Sequence, residues 1–192
     1  MKGTLIFTIA LFAALNLQAQ DSATEIMEKS RQTMKVGSFE AVASLTITDS
    51  KGRIRERKNI TASKSYDDGT EKRLIKFLSP AEVKGTSMLI FDYDIGQDDM
   101  WIYLPALKRT RRIVSSDKGK SFMGSEFTNS DMSSPPVEDF EHILLSNSDN
   151  EWLIESKPID MDKEDEYGFL RKLSYISKED MLVRRIEFYN FE

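Results

Sequence analysis

One histidine, His142, and no cysteine occur among 192 residues, and those two counts remove most of the chemistry a chain of this size can perform. Without thiols there are no disulfides, no cysteine nucleophile and no ordinary structural zinc site. A lone imidazole has no second ligand for a metal, and no local motif pairs it with a serine. Carboxylates are plentiful, but none sits in a pattern that would separate an acid from a base. Asp92, Asp94, Gly96 and Asp98 imitate the opening of a calcium loop. The closing glutamate of that motif is missing, so a tight acidic hairpin turn is the simpler account. The run Asp160–Glu166 (DMDKEDE) reads as a solvated loop. No cofactor is implied, and catalysis is not expected.

Apolar surface and positive charge are the chemistry that remains, concentrated between Val83 and Met132. Ser87–Tyr93 (SMLIFDY) and Met100–Pro105 (MWIYLP) are strand-like, yet apolar on both alternating faces. A half-exposed antiparallel strand would alternate apolar with polar. Both faces therefore need cover, which suggests a curved sheet with something apolar in its concavity. The candidate lining is Phe77, Leu89, Phe91, Tyr93, Trp101 and Tyr103, joined by Phe122, Met123, Phe127 and Met132 from the following loop. Thioethers and flat rings adapt to disordered alkyl chains, so this set can serve either a guest lipid or an ordinary self-filled core. Lys108, Arg109, Arg111 and Arg112, with Lys118 and Lys120 beyond them, could hold phosphate head groups or an acidic partner. Edge protection and solubility explain them equally well.

The elements that must position these residues follow from capping, period and turn chemistry. Ser22-Ala-Thr-Glu25 is a capping box, and Ile26, Met27, Ser30, Thr33 and Met34 line one side of a helix ending near Gly37. Phe39–Thr48 pairs with Ile54–Ala62 across Asp49–Gly52. Tyr66–Gly69 turns into a strand over Lys72–Leu78, and Pro80–Gly85 leads into the two apolar strands. Leu107–Val114 adds another strand. The loop Ser115–Met132 is long enough to suggest a functional cover. Val137–Leu145 has helical spacing at Val137, Phe140, Ile143 and Leu144, which predicts a second helix. Glu151–Ser156, Leu170–Ser177 and Met181–Phe191 predict three more strands, the last stopping without cap or turn and so leaving an unpaired edge.

Met1-Lys2, the apolar run Leu5–Leu17 and Leu17-Gln18-Ala19 have the form of a signal peptide over residues 1–19, cleaved before Gln20. The run is too short to span a bilayer, so an exported, soluble single domain over 20–192 is expected. Losing the signal removes Lys2 and no acid, moving the formal charge from −5 to −6. That balance argues against nucleic-acid binding.

Three segments, VKGTSMLIFDY (83–93), DDMWIYLPALKRTRRI (98–113) and GKSFMGSEFTNSDM (119–132), resemble signature segments of the uncharacterised outer membrane lipoprotein-sorting protein family. That family shares a superfamily, LolA/LolB-like, with the periplasmic lipoprotein carrier and its outer-membrane receptor. The resemblance runs from about Ile26 to the end. It implies an α+β fold: an unclosed half β-barrel, one strongly curved antiparallel sheet whose concave face is covered by short helices, with acyl chains held between. Family members continue for several strands past the equivalent of Phe191, so final strands are expected to be lacking. The arginine that latches the lid of the lipoprotein carrier has no evident counterpart. The resemblance implies a monomeric, non-enzymatic periplasmic carrier for an acylated lipid or lipoprotein, making transient membrane contact and meeting an inner-membrane exporter or outer-membrane receptor. The competing expectation is an interaction module that docks on a lipid exporter of the resistance–nodulation–division type and carries no lipid.

Overall fold

The computed structural model describes residues 22–93 and 96–190. The segment expected to be a signal peptide, Asp94 of the acidic turn and the chain end past Asn190 lie outside the described residues. Ser22 caps α1 (Ala23–Met34) through both halves of the capping box: its hydroxyl accepts from the Glu25 amide at 3.2 Å, and the Glu25 carboxylate accepts from the Ser22 amide at 2.8 Å. Six strands follow in simple up-and-down order, β1 (Ser38–Thr48), β2 (Ile54–Ser65), β3 (Glu71–Ser79), β4 (Ser87–Asp92), β5 (Asp99–Leu104) and β6 (Arg109–Ile113). The expected β1–β2 hairpin is present, with Gly52 at φ 76° making the turn that a side chain would strain.

A four-stranded antiparallel sheet holds β7 (Phe140–Asn147), β8 (Glu151–Pro158), β9 (Arg171–Ser177) and β10 (Val183–Tyr189), again in chain order. The strands thus divide between two unclosed antiparallel sheets, where the sequence suggests one. The predicted helix over Val137–Leu145 is a correction: only Val137–Asp139 forms a single 3₁₀ turn, and Phe140 onward is β7. Phe140, His142 and Leu144 also fit a period of two, and pairing with β8 selects that period because it gives the segment a ladder and a buried face. The solvated loop expected over Asp160–Glu166 is instead α3 (Met161–Tyr167). Asp160 caps its start by accepting from the Lys163 amide at 2.8 Å, and Gly168 ends it at φ 78°. A one-turn helix, α2 (Ser115–Lys118), opens the long connecting loop. Gly119 lets it meet α3: a Cβ there would lie 2.4 Å from the Asp165 carbonyl oxygen.

Each sheet has its own core. Ile75, Phe77, Met88, Ile90, Met100 and Ile113 form the buried face of the first sheet, closed by Phe122 with Met123 and Met132 from the loop. On the second sheet Ile154 and Ile176 are fully buried under Ala23 and Ile26 of α1. A third cluster, Phe140, Tyr167 and Phe169, joins α3 to the second sheet. No helix among the described residues is long and apolar enough to cross a membrane.

Candidate functional site

Strand register sorts the predicted lining residues onto opposite faces. Leu89 pairs with Trp101, Ser87 with Tyr103 and Lys72 with Phe91, so Leu89, Phe91, Trp101 and Tyr103 share the face away from Phe77. Phe91 meets Trp101 edge-on at 5.3 Å and Tyr93 at 6.5 Å, and the Lys72 ammonium sits 4.6 Å from the Phe91 centroid. Leu89 and Tyr103 are 37% and 39% exposed, so this aromatic face is half open to solvent. Phe77 and Phe122, with centroids 5.8 Å apart, are packed into the first core beside Met123 and Met132. Phe127 stands apart, exposed. The ten residues therefore do not meet in a single hollow. Sequence alternation identified both apolar faces but could not say which space each borders.

The basic cluster lies on and beside β6, the outer strand of its sheet. Arg112 pairs with Asp99, Arg111 lies 3.4 Å from Asp117, and Lys108 takes a left-handed conformation (φ 50°) at the turn before exposed Arg109. Among the described residues no three His, Asp or Glu side chains converge to hold a metal ion.

The space lies elsewhere. Between α1, the segment 130–137 and the second sheet is a cavity of about 230 Å³, larger than the ~150 Å³ apolar cavity that accommodates benzene in another protein. Met27 and Met34 form its α1 side, and Phe140, Phe169, Ile186 and Phe188 are among its apolar walls. Short side chains at Ser30, Ser130, Ser133 and Ser134 leave the volume open. The register places His142, Ser156, Lys172 and Phe188 in one row across β7, β8, β9 and β10. His142 Nε2–H donates to the Val137 carbonyl at 3.0 Å, which leaves Nδ1 to accept from the Ser156 hydroxyl at 2.8 Å. Burial pushes its pKa down, and in the neutral ring the Val137 carbonyl selects the Nε2–H tautomer. Sequence reasoning placed Met27, Ser30 and Met34 on one face of α1. It had no signal that brings the second-sheet residues, more than a hundred positions along the chain, up against that face.

A buried polar network lies beside the cavity. Lys118 and Glu166 pair at 2.6 Å with side chains 6% and 5% exposed, and Lys163 bridges Glu166 (3.2 Å) to Asp139 (2.7 Å). The Tyr167 hydroxyl donates to Asp139, and burial with that carboxylate raises its pKa. Asp92 accepts from the Ser134 amide at 2.8 Å, and burial followed by Asp98 nearby pushes its pKa up to about 6. This network ties α2 and α3 together and anchors the segment that walls the cavity.

Two unclosed antiparallel sheets, a helix laid on one of them and an apolar cavity beneath that helix define the class by architecture. A domain from Vibrio parahaemolyticus described as a candidate outer membrane lipoprotein-sorting protein has 28% identity and a TM-score of 0.78, the match covering 88% of this chain and 72% of that one. A DUF1329 family protein from Desulfovibrio piger has 29% identity and a TM-score of 0.77, covering 90% of this chain and 75% of that one. A LolA superfamily protein from Nitrosomonas europaea shares the fold at 19% identity and a TM-score of 0.60, covering 88% of this chain and 72% of that one. A comparison with curated proteins returns no match. A family model described as that of an uncharacterised protein matches residues 69–192. The chain belongs to that family, and its fold is the one seen in the lipoprotein-sorting, DUF1329 and LolA superfamily structures.

Proposed function

We propose that this protein is a non-enzymatic carrier of the bacterial periplasm that shields an acyl chain of a lipid or lipoprotein on its way toward the outer membrane. The observation that carries this reading is the cavity of about 230 Å³ under α1, bordered by methionines and aromatic rings. In this reading the two sheets act together as an unclosed half-barrel, with α1, α3 and the 115–132 loop against its concave side. The names of the similar proteins, lipoprotein-sorting and LolA superfamily, favour the same role.

Size and energy both favour a single chain. A sixteen-carbon chain gains on the order of 12 kcal/mol on leaving water, at about 0.8 per methylene. Three would exceed the practical ceiling of roughly 18–21 kcal/mol, and a carrier must let go. The cavity falls below the ~300–1,000 Å³ typical of ligand sites, so α1 would have to shift outward to admit a full chain. The face of Leu89, Phe91, Tyr93, Trp101 and Tyr103 is the surface we assign to membrane or partner contact. Lys108, Arg109, Arg111 and Arg112 at its edge would meet head groups or an acidic exporter or receptor. Phe77, Phe122, Met123, Met132 and Phe127 would border the chain only if the loop opened.

Purifying the protein from its native envelope, extracting it with organic solvent and analysing the extract by mass spectrometry tests the reading. Near-stoichiometric acylated lipid is expected. Lipid-free protein that also fails to take up a neutral apolar fluorophore would leave the docking-module alternative standing instead.

A further inference from the structure

The cavity is not uniformly apolar. Lys172 enters its wall from β9, its ammonium 4.6 Å from the Phe140 centroid and 5.7 Å from that of Phe169. It is half-buried, and among the described residues no ion pair or hydrogen bond engages it. The other charged and ring-borne polar groups of the wall have partners. His142 is bonded on both ring nitrogens, Arg31 pairs with Glu28 at 3.2 Å, Asp131 accepts from the Thr128 amide at 2.7 Å, and Tyr167 donates to Asp139. On the α1 side the Ser30 hydroxyl is buried, the residue being 1% exposed, and it has no hydrogen-bond partner.

A cation against aromatic faces is partly compensated by their quadrupoles, and a half-buried ammonium that makes no ion pair is free to meet an anion entering the cavity. A buried hydroxyl without a partner is likewise uncommon. Both groups can donate, and they come from α1 and from β9 on one cavity whose apolar border is Met, Phe, Val and Ile. A carboxylate has two accepting oxygens and no donor, which complements both.

We infer that the cavity takes a single-chain amphiphile with a free carboxylate, a fatty acid bound head-inward, with Lys172 as its counter-ion and the Ser30 hydroxyl as its second donor. This rests on the carrier reading and narrows it, because esters and amide-linked acyl chains bring no anion. Burial lowers Lys172 to about 8, so the preference for a carboxylate fades as pH rises beyond that value. Asp131 is the carboxylate on the cavity wall and favours the Lys172 charge, and the ring of His142, held toward its neutral form by burial and by Lys172, supplies no competing charge.

The test is displacement of the neutral fluorophore N-phenyl-1-naphthylamine by laurate, methyl laurate and lauroyl lysophosphatidate, for the native chain and for Lys172→Met and Ser30→Ala. At pH 7 laurate is expected to displace the probe at about tenfold lower concentration than methyl laurate, the scale of one charge-assisted hydrogen bond. Lys172→Met should level the two while retaining methyl laurate, Ser30→Ala should narrow the gap severalfold, and pH 9.5 should level them in the native chain. Equal midpoints in the native chain, a gap that survives both Lys172→Met and pH 9.5, or lysophosphatidate outcompeting laurate would each overturn the inference while leaving the carrier reading intact. Failure of the native chain to bind the fluorophore or any of the three ligands would remove the carrier reading as well.

Discussion

Asp92 shows how much a single side chain here depends on its surroundings. It is 6% exposed, accepts one backbone amide, and titrates near 6 because burial and Asp98 disfavour its charge. The unfolded chain would hold it near ~3.9. With the folded value the higher one, the native state binds the proton more tightly, so this group favours folding fully only below the unfolded value. That contribution is lost as pH rises through about 6. Asp92→Asn keeps an oxygen for the Ser134 amide and removes the charge. It is expected to stabilise the protein by about 2 kcal/mol at pH 7.5 and by little at pH 4, read from urea unfolding at the two pH values. An equal change at both would show that charge is not what Asp92 contributes. The sequence placed Asp92 in an acidic turn. It could not place the Ser134 amide, 42 positions away, against it.

At the scale of elements, α3 and β7 are instructive. The cap signals of α3, Asp160 and Gly168, are visible in the sequence, but DMDKEDE has no apolar stripe, and without one a charged run reads as loop. Tertiary contact supplies what periodicity lacks: Glu166 is buried against Lys118 and Tyr167 packs on Phe140. Lys118→Met is expected to cost about 3 kcal/mol, because Glu166 is left buried with only Lys163 at 3.2 Å. The double substitution Lys118→Met, Glu166→Leu should recover most of that loss. Arg184→Ala, which breaks a pair exposed at 53% and 38% with Asp180, should cost less than about 1 kcal/mol. Denaturant unfolding reads all three, and a Lys118→Met effect as small as that of Arg184→Ala would mean the buried pair is incidental. β7 carried the opposite ambiguity. Its apolar residues fit both periods, and only the β8 ladder decided between them.

For the molecule as a whole, the cavity is the feature on which function turns. Ile186→Trp, from the wall on β10, adds bulk where the cavity would otherwise be. It is expected to weaken fluorophore uptake at least tenfold while the melting temperature stays within a few degrees, since cavity filling costs little where space already exists. Undiminished uptake would place the binding surface elsewhere, with the Leu89 and Trp101 face the next to examine.

Periodicity, capping and turn chemistry are local, and the sequence alone therefore determined α1, the β1–β2 hairpin, the doubly apolar strands and the resemblance to lipoprotein-sorting proteins. The division into two sheets, the burial of Lys118 with Glu166 and the row His142, Ser156, Lys172 were decided only by the tertiary structure. Each joins residues that no repeat or motif relates, and an empty volume is the joint result of α1, a connecting segment and three strands closing imperfectly around it.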